Sequence, residues 1–219
     1  MRRRQMTQQG LKGLFLVVLI LVGCSASGSS DNPDQGCGGT EAAVSCLGIV
    51  SITPKDAGGN TTNNVDAFAH ICTVDPTTGA PLTVEHLVDH NADVSFANTK
   101  FPTALSTFDL RVIGYSISYT LNESCPSGAQ ACPSLAPLSF QENFVVPAGG
   151  GVTRTLAFVP LTVKIAYAAN FSVRLPIPVL SYTAHYVFTA QTVGLNDTFT
   201  VEAGVTFEIA DFSTACAAP

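Results

Sequence analysis

The chain has 219 residues, 46% of them hydrophobic, no tryptophan, seven cysteines and a formal net charge of −6. Its four most N-terminal basic residues, Arg2, Arg3, Arg4 and Lys12, precede every acidic residue, so residues 24–219 keep six basic against sixteen acidic side chains, a net −10. Nucleic-acid binding needs clustered lysine and arginine to displace counterions, and Lys55, Lys100, Arg111, Arg154, Lys164 and Arg174 are scattered, so no nucleic-acid partner is expected.

Taken in chain order, the first element is a basic start followed by an apolar run over 14–22, the order of an export signal. The run is far shorter than the roughly 20 apolar residues of a bilayer-spanning helix, and it stops at Gly23 and Cys24 before a polar stretch. Leu21-Val22-Gly23-Cys24 resembles the lipobox of bacterial lipoproteins. The resemblance implies cleavage after residue 23, a diacylglycerol thioether on Cys24, and attachment to a membrane through the lipid. Two or three acyl chains hold durably, since each buried CH₂ adds about 0.8 kcal/mol. Ser25, rather than Asp, follows the cysteine, which by the same resemblance implies the outer membrane.

Residues 24–44 are rich in Gly, Ser, Asp and Asn and are expected to be a flexible tether, because they offer too little apolar surface to fold. Residues 45–219 are expected to form a single domain. With Cys24 assigned to lipid, Cys37, Cys46, Cys72, Cys125, Cys132 and Cys216 remain, an even set that should be oxidised outside the cytosol. Six cysteines allow fifteen pairings. The turn-rich hexapeptide between Cys125 and Cys132 favours a local bridge there, and 46–72 with 37–216 is the arrangement expected for the rest.

Period-two alternation dominates the domain. Phe199, Val201, Ala203, Val205, Phe207 and Ile209 alternate with polar residues and glycine, as do Ile113, Tyr115, Ile117 and Tyr119, while Tyr182, Ala184, Tyr186 and Phe188 alternate with Thr183, His185 and Val187. Shorter β-rich runs lie at 48–52, 67–74, 92–97, 142–146, 153–158 and 162–168, separated by proline and glycine. Ala148-Gly149-Gly150-Gly151 reads as a hairpin turn, Gly194-Leu195-Asn196-Asp197 as a turn between the last two strands, and Pro176 with Pro178 as an edge crossing. One helical turn is expected over 84–89.

The fold class expected is all-β, a β-sandwich of about seven to nine antiparallel strands stapled by disulfides. The strand with Tyr115 and Tyr119, the Val146-Pro147-Ala148-Gly149-Gly150 turn and the final strand through Phe212 resemble a group of bacterial lipoproteins with a single immunoglobulin-like sandwich, over residues 82–212. The resemblance implies architecture and no activity. The Cys-Trp-Cys core of antibody domains is excluded by the lack of Trp.

Chemistry is sparse. Gly114-Tyr115-Ser116-Ile117-Ser118 lacks the second glycine of a nucleophile elbow and lies in an expected strand, and Gly149 to Gly151 lack the Lys and Ser or Thr of a phosphate loop. On a helical turn His86 and His90 would share a face with Asp89 nearby, a metal-ligand spacing, although the same residues also suit a polar connection. Asp56, Asn60 and Asp66 offer oxygen ligands that a calcium ion or an ordinary exposed turn would equally use. A sugar platform wants exposed flat aromatics, and the tyrosines at 115, 119, 182 and 186 occupy apolar-face positions, leaving only Tyr167. The asparagines that begin Asn-x-Ser/Thr triplets, at 60, 122, 170 and 196, are expected to be silent in a bacterial export route. No catalytic residue and no cofactor are expected. The expectation is a non-enzymatic lipid-anchored domain that meets another envelope or extracellular protein, with metal or saccharide binding as the alternative and an enzyme with a dispersed site as a weaker one.

Overall fold

Alternation decides which side chains face inward, and the computed structural model, which describes residues 35–40, 43–69, 71–124, 132–171, 178–195 and 197–212, turns it into two layers. The described elements are β1 (Gln35–Thr40), β2 (Ala43–Lys55), β3 (Asn64–Asp66), β4 (Ile71–Val74), β5 (Pro81–Val84), β6 (His90–Lys100), β7 (Leu110–Leu121), β8 (Leu138–Val146), β9 (Gly151–Val159), α1 (Leu161–Ala168), β10 (Leu180–Thr192) and β11 (Thr198–Ala210). A four-stranded antiparallel sheet has the order β1-β2-β6-β9, and a five-stranded sheet has the order β3-β11-β10-β7-β8, antiparallel except for β3, which runs parallel to β11. β4 and β5 pair with each other.

The clearest alternation gives the most regular pairing. β10 and β11 match without a register shift from Leu180↔Ile209 to Gln191↔Thr198, closed by a turn in which Thr192 N–H donates to Asp197 O. Tyr182, Ala184, Tyr186, Phe188 and Ala190 point inward and are buried. They meet Leu47, Ile49, Val94, Phe96 and Phe158 of the other sheet in one core. Phe96 sets its edge against Phe188 at 5.0 Å, and Phe158 against Phe207 at 5.0 Å, geometries that favour the aromatic quadrupoles.

Tyrosine hydroxyls join the layers as well. β9 is the edge of its sheet, so main-chain groups on its open side lack a neighbouring strand. Tyr186 Oη donates to Ala157 O at 2.8 Å, Ala157 N–H donates to Tyr115 Oη at 3.0 Å, and Tyr119 Oη donates to Phe158 O. The rings belong to β7 and β10 of the opposite sheet. Nearby, the Arg154 guanidinium lies 5.2 Å over the Phe144 ring and bridges β9 to the edge strand β8.

Several expectations are corrected. Residues 162–168 form a helix rather than a strand: Pro160 occupies the N-cap position, where its missing N–H costs nothing, and Val163 and Tyr167, one turn apart, bury the same side. The β-branched Thr162, Val163 and Ile165 are what mislead a propensity reading. The helical turn over 84–89 does not form; β5 ends at Val84, and an irregular connection leads to His90. In the run 67–74 only Ile71–Val74 is a strand. The glycine turn at 147–150 is a real turn, with Gly150 N–H donating to Pro147 O and Gly149 at φ +67, but it carries the chain from one sheet to the other instead of closing a hairpin. Asn98 fixes that crossing by donating through its Nδ2 to Val146 O and Phe108 O.

Part of the segment expected to be a tether, 24–44, is a strand. Gln35–Thr40 is a strand of the first sheet, with Cys37 directly opposite Cys46, and the two cysteines form a disulfide. Cross-strand proximity therefore overrides the expected 46–72 and 37–216 pairs. β1 can take this place because it is mostly glycine: a Cβ on Gly38 would lie 2.7 Å from the Phe199 ring, and one on Gly36 2.4 Å from Thr200 O. Cys72 and Cys132 are disulfide-bonded too. The 125–132 bridge, Cys216, the signal segment with Cys24, and Pro176 fall outside the described residues.

If the hydroxyls hold the β9 edge, Tyr186→Phe and Tyr119→Phe should each lower the unfolding free energy by about 1 kcal/mol in urea melts. Ser118→Ala, on the exposed face of β7, should change it by less than about 0.5 kcal/mol. Equal effects at all three positions would contradict the assignment.

Candidate functional site

The strongest concentration of polar chemistry lies where α1 packs on the entry to β6. Lys164 projects from the buried side of the helix and is 1% exposed; His90, the first residue of β6, is 6% exposed. Lys164 Nζ lies 2.7 Å from His90 Nδ1 and donates to Val88 O at 2.6 Å. Since Nδ1 accepts from an ammonium, the imidazole is neutral and its proton sits on Nε2. One residue earlier, Asp89 Oδ1 accepts from Leu161 N–H at 2.7 Å, so a carboxylate from outside the helix satisfies one of its free N-terminal donors.

Burial sets the electrostatics. It pulls His90 down to about 4, with the neighbouring Lys164 charge adding to the shift and Asp56 opposing it. It lowers Lys164 to about 8, against the pull of Asp66, Asp89 and Glu85 towards the charged form. Asp66 is raised by burial, and Glu85 and Asp211 push the same way. Glu85 Oε2 is buried without a hydrogen-bond partner. At neutral pH the cluster thus sets one buried ammonium against one neutral imidazole, with acidic side chains nearby.

The residues singled out for metal chemistry do not converge. His86 is exposed, Asp89 caps the helix, and His90 is engaged by Lys164. Among the described residues no group of three His, Cys, Asp or Glu side chains is placed to hold a metal ion. The Asp56 carboxylate accepts from the Asn60 main-chain and side-chain N–H groups within its own turn, while Asp66 sits on β3, away from that turn. Ser116 lines a shallow groove of about 340 Å³ on the outer face of the five-stranded sheet with Gly114, Ser139, Gln141, Val187 and Thr189, and the lining holds no His, Asp or Glu to act as a base.

All five tyrosine hydroxyls are bound to main chain: those already described, Tyr167 to Ile209 O and Tyr182 to Pro133 O. Lys164 is the residue sequence reasoning missed. A lone lysine in the run 161–168, just after a proline and between Val163 and Tyr167, was the available signal.

The site has an alkaline signature. The folded state holds Lys164 below its ordinary 10.5, at about 8, so the unfolded chain binds more protons between those values and stability rises with pH there. Burial pushes Tyr115 and Tyr182 up to about 12, which has the opposite sign above their ordinary value of 10.0 and makes stability fall. Urea melts from pH 7 to 11 should show a maximum near about pH 9–10, and Lys164→Met should lose the rise while keeping the fall.

No protein-family model, no curated protein and no solved structure matches this chain.

Proposed function

We propose that this protein is a non-enzymatic, lipid-anchored envelope protein whose immunoglobulin-like domain presents one loop end to another envelope protein. Support for the immunoglobulin-like reading comes from the strand order. β2-β6-β9 faces β11-β10-β7-β8, and β3 adds to β11 in parallel. In that scheme the first, second and fifth strands lie in one sheet against the seventh, sixth and third, which β2, β6 and β9 against β11, β10 and β7 reproduce; here the fourth, β8, joins the second sheet beside β7. The disulfide of Cys37 with Cys46, and the oxidised Cys72 and Cys132, suit an exported chain.

The observation that carries the interaction reading is the end of the domain where β6 stops and β7 begins. Leu105 there is 84% exposed and Phe101 42%. The β10–β11 turn at the same end adds Val193 and Leu195, both exposed, and is joined to the first loop by Val193 N–H donating to Asp109 O. β1 enters opposite Gly48 in the middle of β2 and runs towards this end. A lipid on Cys24 would lie eleven residues before Gln35, the first residue of β1. An attachment ahead of a strand that runs towards these loops suits loops that face away from the membrane. Exposed apolar side chains grouped on loops over a rigid sheet scaffold are a common form of protein-binding surface.

The test is site-specific photo-crosslinking in intact cells. A crosslinker at Leu105 should yield a discrete protein adduct that one at Ser118 does not, and Phe101→Asp should abolish it. The same adduct from both positions, or lipid adducts alone from position 105, would contradict the reading. Cys24→Ala should move the protein from the membrane to the soluble fraction, and full membrane retention would overturn the anchor.

A further inference from the structure

We propose that the buried Lys164–His90 contact is an acid-released latch: the neutral imidazole ties helix α1 to the entry of β6, and protonation of the ring expels the ammonium towards Glu85, whose Oε2 has no hydrogen-bond partner, loosening the helix from the 85–90 connection.

At 2.7 Å, Nδ1 must offer a lone pair to the ammonium. A protonated ring has none, and two cations would then share one buried contact. Bringing like charges together away from water costs far more than it does at a surface. One of the two must leave. His90 is the first residue of β6 and pairs with Val159 of β9, and the next residue, Asn91, pairs with both Lys55 of β2 and Ala157 of β9, so its backbone is held by the sheet. Lys164 is carried on a flexible four-carbon stem and moves more easily.

A destination exists. Glu85 Oε2 is buried with no hydrogen-bond partner, and Glu85 lies within electrostatic reach of Lys164. A buried carboxylate oxygen without a donor is costly, and an arriving ammonium would satisfy it. The groups around the pair are accounted for on each element: Asp56 from the turn after β2, Asp66 from β3, Glu85, His86 and Asp89 from the connection, and Asp211 after β11. His86 is exposed, and Asp89 remains committed to Leu161 N–H. Moving Lys164 also breaks its bond to Val88 O, leaving the Asp89 cap as the remaining described hydrogen bond between the connection and the helix. An eight-residue helix has little stability of its own and depends on such ties. Burial holds His90 near 4, so the latch stays closed at neutral pH and opens as pH falls through the window below 6.5.

Hydrogen exchange followed by mass spectrometry tests this on the full chain, at pH 7 and pH 4.5, with rates corrected for the intrinsic pH dependence of amide exchange. Peptides covering 85–90 and 161–168 should exchange on the order of tenfold faster at the lower pH, while those covering β10 and β11 stay protected. His90→Gln, which cannot take a proton, should remove the acid response of the two segments. An unchanged response in that variant, or uniform loosening that includes β10 and β11, would overturn the latch. A nuclear magnetic resonance titration of the wild-type chain needs no variant: the His90 ring should titrate well below 6.5, together with the Val88 and Lys164 amide shifts. A ring that titrates near 6.5, or without those shifts, would also overturn it.

Discussion

The domain depends on tyrosine hydroxyls reaching across the core to main-chain groups that no strand covers. A two-sheet fold leaves open edges, and an unpaired main-chain group beside an apolar core is expensive. At β9 the opposite sheet supplies the missing partners, because Tyr115, Tyr119 and Tyr186 place rings in the core and oxygens at Ala157 and Phe158. The same hydroxyls fix how the sheets are aligned, since sliding one sheet over the other would carry each oxygen away from its main-chain partner on β9. Burial raises all these phenols above their ordinary range, so they stay neutral through physiological pH, Tyr119 and Tyr186 as donors and Tyr115 as an acceptor.

The far end follows from that alignment. β9 finishes at Val159, Pro160 stops it, and α1 starts immediately beside the entry to β6. Tyr167 then buries its ring and donates to Ile209 O, which locks the helix against the end of β11. This leaves one polar position on the buried side of the helix, occupied by Lys164. An ammonium there is tolerated because Val88 O and His90 Nδ1 accept its protons and several carboxylates surround it. The edge strand β8 is handled differently. Its Glu142 lies close enough to act on Tyr115, and a charge at a sheet edge discourages another chain from pairing there.

The layered β architecture was legible because alternation is a local signal. β7, β10 and β11 lie where Tyr115, Tyr186 and Phe207 alternate with small or polar residues. The helix was not, because Thr162, Val163 and Ile165 carry strand propensity while the deciding facts, Pro160 at the cap and the shared burial of Val163 and Tyr167, are tertiary. The pairing of Cys37 with Cys46 was hidden for a related reason. A glycine strand carries no alternation, and its place against Phe199 is set by what a Cβ would strike. His90 was visible as a histidine, but its partner lies 74 residues away on an element of a different expected type. Local pattern reports faces of elements; it does not report which faces meet.

The most direct measurement of the central claim is the hydrogen-exchange rate of the Ala157 amide, which lies on an edge strand yet donates to Tyr115 Oη. The account predicts protection comparable to amides in the middle of β10, lost in Tyr115→Phe while the β10 amides stay protected. Exchange at the rate of an open edge amide in the wild-type chain would contradict it.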